Sequence, residues 1–131
     1  MKALVALGRI FFSLIFIVSG PGHFSQNAIG YAASQGVPMP MIAVPFSGLL
    51  ALLGGLSIAL GFRAKIGAWL IVLFLVPVTL MMHNFWAISD LQAHQLQQIM
   101  FMKNLSMLGG ALLIAYFGAG PLSLDEKRGA I

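Results

Sequence analysis

The chain has 131 residues, 60% of them hydrophobic and 8% charged, with seven Lys and Arg against three Asp and Glu. An ordinary soluble domain carries about 25% charged residues, so this composition excludes a conventional water-facing surface and defines a single integral membrane domain, residues 1–131. The formal charge of +4 is spread over scattered positions and makes no nucleic-acid footprint, and the absence of cysteine removes disulfides, thiol relays and thiolate metal sites.

Runs of about 20 apolar residues, enough helix to cross a hydrocarbon core of about 30 Å, predict four spans. The first runs from about Ala3 to Phe24 and ends at the breakers Gly20-Pro21-Gly22. Arg9 interrupts it and no A-x-A site follows, so an uncleaved N-terminus is expected. A loop from Pro21 to Pro40 leads to the second span, about Met41 to Phe62. A short turn carrying Arg63 and Lys65 leads to the third, about Ile66 to Met82. A second long loop, His83 to Gln98, precedes the fourth, about Ile99 to Phe117, which Gly118-Ala119-Gly120-Pro121 closes. In lipid each span must satisfy its own backbone polar groups, and no period-2 pattern of a membrane barrel competes. The expected fold class is therefore all-α, a four-transmembrane-helix bundle, with Pro45 and Pro77 bending the second and third spans locally.

Lys2, Arg63, Lys65, Lys127 and Arg128 all fall on one side of four crossings, whereas the first and third loops contain no Lys or Arg. The positive-inside rule places both termini in the cytoplasm. Trp69 and Trp86, seventeen residues apart, span roughly 25 Å of helix and read as belt aromatics at opposite edges of one bilayer. Small residues at Ser47, Ala51, Gly55 and Ala59, and again at Ser106 and Gly110, mark expected helix-packing seams.

Two charges lie inside the spans. Lys103 is four residues from Ile99, about 6 Å along a helix, so its amine either snorkels to the headgroups or faces the bundle interior as part of a site. Asn104 and Gln98 adjoin it. His83 and Trp86 end the third span and His23 ends the first. Together these residues predict a cluster of imidazole, amine, amide and indole groups at one mouth of the bundle. Such a cluster suits a flat amphipathic ligand with carbonyl or hydroxyl oxygens, and a quinone has that shape. Taken singly, each histidine also reads as an interfacial side chain bonded to backbone or headgroup. The three histidines are too dispersed for a metal or haem site, and none is expected. Arg9 lies about 9 Å inside the first span, where it needs a partner; the spans hold no Asp or Glu, so Asp125 is the expected counter-ion.

Several stretches together resemble the DoxX family of small bacterial inner-membrane proteins. They are Gly8-Arg9 with Ser19-Gly20, "YAASQGVPMP" from Tyr31, "LLGGLSIALGFRAK" from Leu52, His83 to Trp86, "MKNLSMLGGALL" from Met102, and "GAGPLSLD" ending at Asp125. The resemblance implies a four-helix bundle in the bacterial inner membrane and an association with quinol-linked redox chemistry and partner proteins. One departure concerns the residue immediately before the Leu52 stretch: the family often has a glutamate there, and this chain has Ala51. An Arg–Glu proton-carrying pair is thereby removed.

The expected function is a quinone- or quinol-binding component of a membrane oxidoreductase system, working with a redox partner protein. The alternative is a non-enzymatic membrane subunit or scaffold that recruits a partner. Expected surroundings are the lipid bilayer, a redox partner and a homo-oligomer, with no nucleic acid. A transporter has little support, because the spans show no internal repeat.

Overall fold

A computed structural model describes residues 1–130, which are all-helical, with no strand. Four helices are long and apolar enough to cross a membrane: α1 (Lys2–Ser19), α3 (Pro40–Leu60), α4 (Ala64–Met82) and α5 (Leu91–Phe117). Two short helices join them, α2 (Gln26–Ser34) before α3 and the single turn α6 (Leu124–Lys127) in the tail. Pro21 cannot donate a backbone hydrogen bond, so α1 gives way to a 3₁₀ turn, Gly20–Phe24, which completes the first span where expected. Pro45 and Pro77 stay within unbroken helices.

Two boundaries differ from the sequence expectation. The first loop contains α2, whose N-cap Ser25 accepts the Ala28 N–H at 3.1 Å. Helix α5 begins eight residues before the apolar run, because Asp90 caps it by accepting the Ala93 N–H at 2.9 Å. Hydropathy marks the part of a helix that sits in lipid, and the polar first two turns of α5 lie outside that part. With 27 residues, α5 is about 40 Å long against a core of about 30 Å.

Helix α3 is central, packed against α1 on one side and α4 on the other; α5 packs chiefly on α4 and meets α1 at Gly110. Without a hydrophobic drive between helices in lipid, close approach is what holds them, and glycine makes it possible. A Cβ on Gly54 would come within 2.9 Å of the Gly67 carbonyl, and one on Gly55 would press on Phe16 and Ile17. The buried seam of α3 therefore runs through Gly48, Ala51, Gly54, Gly55 and Ile58 and serves two neighbours. In α5, Gly110 receives the ring of Phe12 from α1, while Ser106 is exposed. Phe16, Ile58, Ile71 and Leu75 fill the core. A chain of aromatic contacts, Phe12 to Phe16 at 5.3 Å, Phe16 to Phe74 at 6.2 Å and Phe74 to His23 at 5.5 Å, runs toward the end opposite the termini, here called the distal end.

At the termini end the tail folds back across the bundle. Arg9, 5% exposed, donates to the carbonyls of Ala119 (2.8 Å), Pro121 (2.9 Å) and Leu122 (2.7 Å). Asp125, equally buried, accepts the N–H groups of Arg63 (2.7 Å) and Ala64 (2.9 Å) and so caps the start of α4; its own N–H donates to Gly61 at 2.7 Å. This corrects the expected Arg9–Asp125 ion pair: among the described residues Asp125 pairs with Arg128, at 3.7 Å. The reason is geometric. The irregular segment after α5 has carbonyls without helical donors, and these meet the guanidinium first. Gly61, at φ +67, leaves no room for a side chain because Ser123 lies where its Cβ would be. Ser123 and Glu126 fasten α6 reciprocally, Ser123 Oγ accepting the Glu126 N–H at 3.0 Å and Glu126 accepting the Leu122 N–H at 2.8 Å.

These bonds set the response to substitution at position 125. Asp125→Ala strands one partly buried and one buried N–H group and is expected to destabilise by about 1–2 kcal/mol. Asp125→Asn keeps one acceptor and is expected to cost about half as much. Thermal unfolding in detergent checks this; an Asn variant as unstable as the Ala variant would favour a charge pair with Arg9 over capping.

Candidate functional site: an apolar cavity at the distal end

The distal ends of α3 and α4, the 3₁₀ turn after α1 and helix α2 enclose a cavity of about 530 Å³. Its walls are apolar and aromatic, with Val44, Phe46, Leu50, Leu73, Phe74 and Met82 among them. Phe46 and Leu73 are each 55% exposed on the outside of the bundle, so the cavity is reached from the side, at membrane depth. Helix α2 covers its distal end, anchored to α3 through Ile29, Ala32 and Val44.

The polar groups on this cavity are few: His23, Tyr31, Ser47 and His83. The Ser47 hydroxyl is committed to the Val44 carbonyl at 2.7 Å. His23 Nδ1 lies 3.0 Å from the Ser19 carbonyl oxygen, an acceptor only, so Nδ1 carries a proton and, in the neutral imidazole, Nε2 keeps its lone pair. His83 Nδ1 lies 2.7 Å from Gln97 Oε1 and, with that amide oxygen accepting, takes the same tautomer. Pro77, also on the cavity, has no N–H to offer the Leu73 carbonyl one turn earlier. The cavity thus presents mainly hydrogen-bond acceptors on an apolar wall, with the Tyr31 hydroxyl as a donor near its distal end.

His23 owes its place to a glycine contact. Gly48 of α3 lies directly under it, such that a Cβ there would fall 2.5 Å from the His23 Cβ and 2.7 Å from the Gly20 carbonyl. Ring-edge contact with Phe74 fixes the imidazole from the other side.

The six residues expected to converge do not all do so. His23 and His83 share the cavity. Lys103 does not line it: the side chain is exposed on the outer face of α5, and Nζ turns back one turn toward Met100 Sδ at 3.5 Å. Positions 97, 101, 104, 108 and 111 follow the inward spacing of α5, and 103 falls outside it. Asn104 is on that inner face, buried to 5% exposure, but two turns deeper than Gln97 and away from the cavity. Trp86, 57% exposed, belongs to an aromatic group with Phe85 and Phe101, at 5.3 and 5.8 Å. Gln98 is exposed, and its neighbour Gln97 is the partner of His83. Gln97 and Tyr31 were missed in the sequence. The inward spacing of α5 points to Gln97, whereas nothing local points to Tyr31.

The fold and this cavity define a class: a four-helix integral membrane protein with a side-opening apolar chamber between helix ends. Comparison with known proteins makes the class specific. The DoxX family model matches residues 4–84 and the SURF4 family model residues 46–130. Inner membrane protein YphA of Escherichia coli K12 is 32% identical over 126 residues, covering 95% of this chain and 89% of that protein. Inner membrane protein YqjF of the same strain is also 32% identical over 126 residues, covering 93% and 89%. The ER-derived vesicles protein ERV29 of Saccharomyces cerevisiae is 32% identical over 83 residues, 63% of this chain and 26% of that protein. No solved structure matches the chain. This chain belongs to the DoxX family and is a multi-pass inner-membrane protein.

Gly48→Ala is expected to push the 3₁₀ turn off α3, displace His23 and cost about 1–3 kcal/mol. Gly30→Ala, where a Cβ meets nothing within 4 Å, is expected to be neutral or to gain up to about 1 kcal/mol from helix propensity. Paired thermal melts distinguish the two sites.

Proposed function

We propose that the protein is a small membrane component that binds a quinol or quinone in the distal cavity and acts with a redox partner protein. The observation that carries this reading is the pair of imidazoles on one apolar chamber, each with Nδ1 committed and Nε2 able to accept a hydroxyl proton. A volume of about 530 Å³ falls within the range of about 300–1,000 Å³ typical of small-molecule sites. The ligand reaches it from the bilayer, past Phe46 and Leu73. As acceptors, the imidazoles suit the hydroxyls of a quinol better than the carbonyls of a quinone, and on oxidation they are placed to take the phenolic protons as general bases. The two electrons pass to the partner, since the side chains of this chain carry no redox couple of their own.

A second reading, a subunit or scaffold that recruits a partner, draws support from α5. This helix packs chiefly on α4 and turns Lys103 and Ser106 outward within its apolar part, a face more polar than lipid requires.

We place both termini in the cytoplasm, because Lys2, Arg63, Lys65, Lys127 and Arg128 gather at the termini end. In a chain without native cysteine, single cysteines at Ser89 and Lys127 test this. An impermeant maleimide added to intact cells is expected to label Ser89→Cys and not Lys127→Cys; the reverse pattern inverts the topology.

Titration of purified protein with a short-chain quinol and its quinone tests the ligand. The quinol is expected to bind more tightly. His23→Leu and His83→Leu are each expected to weaken it by about 2- to 12-fold, the worth of one hydrogen bond, while Lys103→Met leaves binding unchanged. No binding of either form, together with a stoichiometric co-purifying protein lost on Lys103→Met, would transfer the case to the scaffold reading.

A further inference from the structure

The termini end has a second concavity, of about 370 Å³, bounded by Arg63, Lys65, Ile66, Asp125, Arg128 and Ala130. Three cations here face one carboxylate, and that carboxylate is already engaged by two backbone N–H groups and by Arg128. The surplus positive charge is held in place by apolar supports. The guanidinium carbons of Arg63 and Arg128 lie 5.9 and 4.9 Å from the centre of the single Phe62 ring. The stem of Lys65 packs on Gly118, its Cε 3.1 Å from where a Cβ would stand.

The surroundings say what kind of anion fits. Ile66 lines the cleft and is 55% exposed, and Trp69, one turn further along α4, is 56% exposed. Both face outward where α4 enters the hydrocarbon. The cleft therefore straddles the water–lipid boundary, with cations on its aqueous side and an apolar flank on the other. We infer that it binds the phosphate of an anionic glycerophospholipid from the leaflet at the termini end, with the acyl chains lying along Ile66 and Trp69. An inorganic phosphate would meet the same cations but would leave the apolar flank uncovered. The interaction differs from the diffuse attraction of any basic segment for an acidic membrane because the charges are fixed by Phe62, Asp125 and Gly118 around one concavity.

The test compares two variants that each remove two positive charges. Arg63→Gln/Lys65→Gln removes them from the cleft; Lys2→Gln/Lys127→Gln removes them from exposed positions outside it. Each protein is placed in nanodiscs of phosphatidylcholine with graded phosphatidylglycerol, and retained lipid is counted by native mass spectrometry alongside thermal melting. The unaltered protein is expected to retain phosphatidylglycerol selectively and to melt at higher temperature with it. The cleft variant is expected to bind it about 25-fold more weakly, at about fivefold per cation, and the outside variant to change by less than about twofold. Equal losses in both variants would reduce the effect to diffuse electrostatics and overturn the site, as would full stabilisation by inorganic phosphate in pure phosphatidylcholine discs. Should the cleft variant fail to fold, Lys65→Gln alone breaks no hydrogen bond among the described residues and is expected to show the fivefold loss; an unchanged affinity in it overturns the site as well.

Discussion

The guanidinium of Arg9 and the carbonyl oxygens of the tail each lack a partner without the other. Arginine cannot shed its charge on burial, and an irregular backbone at the membrane edge has acceptors that no helix donor reaches. Their union, three hydrogen bonds between residues more than 100 positions apart, closes α1 against the segment that leaves α5. One step further along the tail, Asp125 locks the α3–α4 turn. All four long helices are thereby referenced to one small polar knot at the termini end. Ala51 fits this arrangement. Fully buried between aliphatic and aromatic side chains, it occupies a place where a carboxylate would need its own counter-charge, and here both terminal nitrogens of the Arg9 guanidinium are already bonded to carbonyls, with Nε alone left without a partner.

The distal end is built on the opposite plan. No long-range polar knot joins α1 to the tail there. Glycine contacts draw the 3₁₀ turn onto α3, and α3 and α4 each carry a proline five residues from their distal ends. Each proline withholds one donor from the preceding turn. The combination leaves a chamber whose polar atoms are mostly acceptors and whose walls are soft side chains, Met81 and Met82 among them able to repack around a guest. Tightness at one end and adaptable space at the other are consequences of where the sequence spends its few polar residues.

The four crossings were legible because hydropathy and breakers report directly on a solvent that cannot hydrogen-bond. Arg9, His23 and His83 were legible as exceptional because polar groups stand out against oil. Their partners were harder to read. Arg9 is bonded to main-chain oxygens, which have no letter in the sequence, so the side chains alone point to Asp125. Lys103 and Asn104 are adjacent letters about 100° apart on α5, and polar residues elsewhere around the helix hide the spacing 97, 101, 104, 108, 111 that tells the inward one from the outward one. Helix α2 and the early start of α5 escaped for a related reason: capping by Ser25 and Asp90 is a local backbone signal, and hydropathy does not see it.

The outward turn of Lys103 changes what that residue can do. No carboxylate lies within the four spans to neutralise it, and its amine is directed toward Met100, toward the distal leaflet. A lysine so placed is satisfied by water and lipid phosphate at the interface, which fixes how far α5 can sink. Trp86, outward at the same end, sets the depth of the neighbouring turn by the same preference. Between these two marks lies Gln97, whose amide holds the His83 ring. A shift of α5 by one residue, about 1.5 Å, would carry the Gln97 oxygen away from His83, but the packing of α5 on α4 holds that register, so Lys103 marks the depth of the helix in lipid and the tautomer of His83 is left to Gln97.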